Sequence, residues 1–134
     1  MRWMGNVMKG STLGFGGISL AAVLLWSGAA QATGDPVKGK AVFARCAICH
    51  TVEPGKNKLG PSLANIIGQK AGEVPGFKFS PAMTSSKVKW TADTLDKYLT
   101  NPRTFLPGNR MFFAGLPKPE DRANVIAYLQ KPVK

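Results

Sequence analysis

An all-α domain of about four helices joined by long loops is the fold this chain predicts, and three observations carry it. Apolar residues recur at helical spacing around Phe43, around Leu95 and around Val125. No stretch alternates apolar and polar residues as a half-buried strand would, and no internal repeat is present. Long segments rich in Gly and Pro separate the periodic stretches. Loops of that length are unusual in a small domain unless they wrap something.

The first 32 residues stand apart from the domain. Met1 to Gly10 carries Arg2 and Lys9 and no acid, Leu13 to Trp26 is almost unbroken apolar sequence, and Ala30-Gln31-Ala32 follows. A positive start, an apolar core and an A-x-A site predict a cleavable secretory signal peptide over 1–32, cut after Ala32. An uncleaved anchor is the competing reading, but the apolar core falls short of the ~18–20 residues that span a bilayer. The domain is then 33–134. Almost all of the formal net charge of +11 stays with it. A chain of about 100 residues buries only about two-thirds of its unfolded surface, so a large apolar cofactor would supply missing core.

Within the domain, Asp35 caps a helix with Pro36 at its first position, and Gly39, Phe43 and Cys46 share one face. That helix is expected to run straight into Cys46-Ala47-Ile48-Cys49-His50. Thr51 to Gly60 reads as loop. Pro61-Ser62 could open a short helix through Leu63, Ile66 and Ile67, closed by Gly68. Ala71 to Met83 is loop. Thr91 caps a helix with the stripe Leu95, Tyr98, Leu99, ended by Asn101-Pro102. Thr104 to Lys118 is loop again. Pro119 opens the last helix, with Glu120 and Asp121 in its first turn and Val125, Ile126 and Leu129 inward, until Pro132.

The pentapeptide from Cys46 to His50 is the signature of c-type haem attachment. Each thiol adds across one vinyl group, and the tether holds the adjacent imidazole under the iron, with His50 as proximal ligand. A thioredoxin-like dithiol needs a strand before it, whereas Lys38 to Arg45 reads as helix. A structural zinc site needs four ligands, and the chain has two Cys and one His in all. A disulfide across two intervening helical residues is poor because the geometry separates the sulfurs. The cofactor expected is therefore one haem c, bound through thioethers of Cys46 and Cys49, with the long loops wrapped around it. Covalent attachment takes place outside the cytoplasm, which agrees with the leader and points to the bacterial periplasm.

The sixth iron position has no second His available. Met, Lys, water or an open site remain. Met83 reads as core filler. Met111 lies in Pro107-Gly108-Asn109-Arg110-Met111-Phe112, where Pro and Gly stiffen the approach and let a side chain turn inward.

With these residues in hand the domain resembles a class I, mitochondrial-like cytochrome c of the soluble bacterial periplasmic type, over Gly34 to Lys131. The likeness is carried by Lys38-Gly39-Lys40, Cys46 to Glu53, Gly60-Pro61-Ser62-Leu63, Pro75-Gly76-Phe77 and Trp90. Asp93-Thr94-Leu95, Tyr98-Leu99, Asn101-Pro102, Pro107-Gly108, Met111 and Ile126-Ala127-Tyr128-Leu129 extend it. The resemblance implies Met111 as distal ligand and the Pro61 carbonyl on the second nitrogen of His50. It implies Tyr98 and Asn109 near the Met sulfur, Trp90 on a buried propionate, and Gly39 and Phe43 against Tyr128. Trp90 and Tyr98 also read as plain aromatic core. Gln69, Phe79 and Met83 depart from the family pattern, where Arg, Tyr and a small polar residue are usual. Each departure removes a polar or positive partner from the haem's surroundings.

The function implied is a one-electron carrier, not an enzyme, shuttling between redox complexes. Examples are a quinol–cytochrome c reductase or a dehydrogenase on one side and a terminal oxidase or photosynthetic reaction centre on the other. The alternative is a peroxidase-like haem enzyme or sensor with an open or labile sixth position. No carboxylate pair, Ser-His set or phosphate loop points to a small-molecule substrate. The charge alone would suit nucleic acid, but export argues against it and the lysines are spread through loops. Membrane contact is expected only through partner complexes. The resemblance places a ring of cations, Arg45, Lys58, Arg103, Arg110 and Lys118, around the haem edge to meet acidic docking faces.

Overall fold

The computed structural model describes residues 33–133; the expected leader, 1–32, lies outside the described residues. Five helices follow in order: α1 Pro36–Phe43, α2 Pro81–Thr84, α3 Ala92–Thr100, α4 Pro102–Phe105 and α5 Pro119–Gln130. Among the described residues there is no sheet, only one isolated bridge between Lys70 and Lys89.

α1 begins as its sequence requires. Asp35 Oδ1 accepts from the Val37 and Lys38 amides at 2.8 and 3.3 Å, and Pro36 needs no partner for a missing N–H. The Asp35 amide donates to Asn124 Oδ1 at 2.8 Å, which ties this first turn to α5. The two helices cross at Gly39. A Cβ there would collide with the Asn124 carbonyl and come within 2.8 Å of Tyr128 Cβ, so only glycine permits the approach. One turn later Phe43 packs on Tyr128, ring centroids 5.2 Å apart.

α3 opens with a reciprocal box. Thr91 Oγ1 accepts from the Thr94 amide at 3.2 Å, and Thr94 Oγ1 accepts from the Thr91 amide at 2.8 Å. α3 packs on α5 and is pinned there by Arg122, which is buried. Arg122 Nε donates to Asp96 Oδ1 at 2.7 Å, while Nη1 donates to the Leu116 and Pro117 carbonyls at 2.8 and 3.2 Å. A buried cation is tolerable when it is paired and its other protons are used.

Three boundaries differ from the sequence reading. α1 stops at Phe43, because its bonds tighten to the third residue back, Ala44 to Ala41 at 3.3 Å and Arg45 to Val42 at 3.2 Å. The attachment motif therefore rides on turns, with the His50 amide on the Cys46 carbonyl at 2.8 Å. The short helix expected over 61–68 does not form. Asn65 adopts φ 52°, which interrupts any helix, and the Gly68 amide turns to the Trp90 carbonyl at 2.7 Å. Two single-turn helices stand where loop or a helix end was expected. Ser80 caps α2 by accepting from the Met83 amide at 3.2 Å, and Asn101 caps α4 by accepting from Thr104 at 3.1 Å. Asn101 thus ends α3 in extended backbone and starts α4 through Pro102. Among the described residues the helices number five, two of them single turns, in the all-α class expected.

Candidate haem site

The loops between α1 and α3, together with the segment after α4, enclose a cavity of about 540 Å³. Cys46, Cys49 and His50 line it, and so do Met111, Tyr98 and Trp90. Phe43, Leu95, Val125 and Leu129 bring the helical core to its walls. The apolar helix stripes thus serve two purposes, packing on each other and facing the cavity.

Both thiols are free and partly buried. Burial pushes the Cys46 thiol above its ordinary value, against the pull of Arg45 and with Cys49 adding to the rise. His50 Nδ1 meets the Pro61 carbonyl at 2.7 Å, so this nitrogen carries the proton and Nε2 is left as the lone-pair donor. Burial lowers the imidazole pKa; the Pro61 bond raises it and Lys58 lowers it again. The balance keeps the ring neutral, the form that binds metal. Gly60 makes room for it: a Cβ there would collide with the imidazole, within 2.8 Å of Nδ1. The Gly60 amide also closes the motif by donating to the Cys49 carbonyl at 2.8 Å.

On the Met111 side, Tyr98 Oη donates to Met111 Sδ at 3.8 Å, a length suited to sulfur. Burial pushes the Tyr98 phenol up to about 12, so the donor is present at any ordinary pH. Trp90 and Phe105 flank the phenol ring, centroids 5.0 and 5.9 Å away. Asn109 reaches Met111 through the backbone. Its Oδ1 accepts from the Met111 amide at 3.0 Å, and its Nδ2 donates to the Pro102 and Leu106 carbonyls, each at 2.8 Å. All three groups of the amide are spent on shaping the loop that presents the methionine.

Cys46, Cys49, His50, Pro61, Trp90, Tyr98 and Met111 therefore share one cavity, and Asn109 supports its edge. Met83, read as core filler, also lines it. Sequence reasoning missed Lys70, Val74 and Lys78 in the lining, and Gly60 as the seat of the imidazole. Irregular segments have no period, so nothing in their spacing marks which side chains turn inward. Of the expected cation ring, all five members are exposed. Arg110 also lines the cavity, and Lys58 Nζ donates to the Ala47 carbonyl at 2.6 Å inside the attachment turn. Phe112, 92% exposed, and Leu59, 81% exposed, stand at its mouth.

The donor set fits a haem. Apolar and aromatic side chains suit the macrocycle, two thiols suit the vinyl groups, and an imidazole and a thioether suit the iron. Zinc finds no support here, since among the described residues no three of His, Cys, Asp and Glu gather.

Comparison with known proteins agrees. A model of the cytochrome c family matches residues 36–131. A cytochrome c2 of Rhodomicrobium vannielii is 52% identical over 111 residues, covering 82% of this chain and 89% of that protein. A cytochrome c type-1 of Ascaris suum is 47% identical over 102 residues, 75% of this chain and 91% of its own. The solved structure of cytochrome cH from Methylobacterium extorquens aligns with a TM-score of 0.69 and 38% identity, over 72% of this chain and 98% of that one.

Proposed function

The chain belongs to the cytochrome c family, whose members bind haem c covalently, and from that premise we propose that it is an exported, periplasmic one-electron carrier. Bound in the cavity, the haem supplies an iron that takes up and returns one electron. Cys46 and Cys49 would tether it, His50 would hold the iron through Nε2, and Met111 would hold it through sulfur. Pro61 fixes the imidazole, Asn109 the methionine backbone and Tyr98 the sulfur, so both ligands are pre-oriented. Trp90 would serve a propionate. The observation that carries this reading is the convergence of the chain's one histidine, its two cysteines and Met111 on a single cavity.

With His50 and Met111 both holding it, the iron would have no open position, which suits transfer of electrons rather than conversion of substrate. Methionine ligation favours the ferrous state and raises the potential. Export by a leader over 1–32 would deliver the protein to the periplasm; among the described residues no helix is long and apolar enough to cross a membrane. The partners proposed are redox complexes with acidic docking faces, met by Arg45, Lys58, Arg103, Arg110 and Lys118. Arg can hold a carboxylate bidentately where Lys acts as a mobile point charge. Such a field accelerates encounter by up to ~10²–10³-fold at low salt and fades as the screening length falls to about 8 Å.

The test is the second-order rate of oxidation by an acidic redox partner, measured against ionic strength. The rate should fall with salt and fall again when Arg103 and Lys118 are changed to Glu. Rates indifferent to both would rule out the basic docking face.

A further inference from the structure

Haem brings two carboxylates into its site as well as a macrocycle. Its vinyl groups lie on one half of the ring and its propionates on the other. A carboxylate left without donors or cations in an apolar wall is costly, so the wall beside the propionate half must supply them. Cys46 and Cys49 commit the vinyl half to the wall of residues 43–63, and Met111 to Phe113 form the methionine side. Of the rest of the lining, the helix residues Leu95, Leu99, Val125 and Leu129 are apolar, and the wall between Lys70 and Trp90 carries neither an attachment residue nor an iron ligand. It is the one left for the carboxylate edge.

Among the described residues no Asp or Glu lines the cavity, but Lys70, Lys78 and Arg110 do, and the two lysines stand on that remaining wall. Gln69, where the family pattern favours Arg, is not in the lining; its Nε2 donates to the Ala64 carbonyl at 3.3 Å. Lys70 is already shared with Glu73, Nζ to Oε1 3.2 Å. Lys78 has no ion pair among the described residues. Its neighbours Phe77 and Phe79 both line the cavity and meet edge to face, centroids 4.8 Å apart at 69°. The backbone at Lys78 is therefore anchored while its ammonium is unclaimed.

We propose that Lys78 is the counter-cation of a haem propionate in this chain and raises the reduction potential, the role that Gln69 has left. The inference rests on the reading of the cavity as the haem site. Reduction adds one negative charge to the iron, and a nearby ammonium stabilises that charge. Because Lys78 is exposed, solvent and salt weaken the effect, and it is greatest at low ionic strength.

The experiment uses the haem-loaded protein, equilibrated at low salt with a soluble one-electron mediator. Lys78→Gln should move the equilibrium toward oxidised protein about three- to tenfold, equivalent to roughly 30–60 mV since a tenfold change is 59 mV for one electron. Lys78→Glu should move it further, and both shifts should shrink at physiological salt. Lys87→Gln, an exposed lysine outside the cavity lining, is the control for net charge and should move it much less. The visible spectrum should be unchanged in all three. An equilibrium for Lys78→Gln equal to wild type or to the control, with the spectrum intact, overturns the inference and leaves the site reading standing. A wild-type protein that matures without haem overturns both.

Discussion

The crossing of α1 on α5 and the wall of the haem cavity are built on opposite plans. At the crossing, protein answers protein: Gly39 lies against the Asn124 backbone, the Asp35 amide on Asn124 Oδ1, and Phe43 on Tyr128. Much of the wall is made of turns, the single-turn helix α2 and one isolated bridge, with aromatic and aliphatic side chains facing a cavity. The crossing can be stable by its own contacts. The wall has ordered its backbone at about 1–2 kcal/mol per residue without enough partner atoms to offset that, until a cofactor supplies them.

The largest effect should come from removing the tether. With Cys46 and Cys49 both changed to Ser, haem is not retained, and the chain should lose fixed tertiary packing. Hydrogen exchange should then find the amides of 66–90 and 106–113 unprotected, with residual protection confined to α1 and α5. Wall amides as protected in the haem-free protein as in the loaded one would break the comparison. A smaller but still severe loss should follow Gly39→Ala, whose methyl group must push the Asn124 backbone aside. About 3 kcal/mol or more is expected, at the upper end for overpacking, with the spectrum of the folded fraction unaltered. Denaturant titration of the two loaded proteins measures it.

Asn109→Ala comes next and sharpens the contrast, because it acts on the wall alone. Three hydrogen bonds of about 1 kcal/mol each are lost, so the 106–111 segment should open more readily while α1 and α5 exchange as before. Tyr98→Phe should be the mildest. It removes an O–H dipole aimed at Met111 sulfur and should lower the potential modestly while the spectrum stays low-spin. It also carries a pH signature. The folded phenol titrates at about 12 against an ordinary value near 10, so its contribution to stability is complete below about pH 10. That contribution is lost as pH rises through about 12. In the Phe variant this alkaline loss should disappear from stability measured across that window.

How far the sequence spoke follows the same division. The long helices were legible because their starts are local chemistry: Asp35 before Pro36, Thr91 with Asp93 in the first turn, and Pro119 with two acids behind it. That Cys46, Cys49 and His50 would gather on one cavity was legible from their spacing, and that Met111 would join them from the few candidate ligands the chain offers. The wall was less so. Asn65 enters the left-handed region inside a run that reads as helical in the sequence, and its neighbours' spacing does not mark that choice. Nothing local says that Gln69 turns away while Lys78 lines the cavity. The buried Arg122 drew no notice in the sequence, since its partners Asp96, Leu116 and Pro117 are brought to it only by the fold.

The central claim is that one cavity presents His50 and Met111 to the same iron. The most direct measurement compares the visible and near-infrared absorption of the loaded wild-type protein with that of Met111→Ala. The account predicts a low-spin ferric spectrum with a sulfur-to-iron charge-transfer band in the wild type. In the variant the band should vanish and a high-spin or water-ligated form replace it, with the haem still attached and peroxidase activity newly detectable. A variant that keeps the wild-type band would contradict the claim.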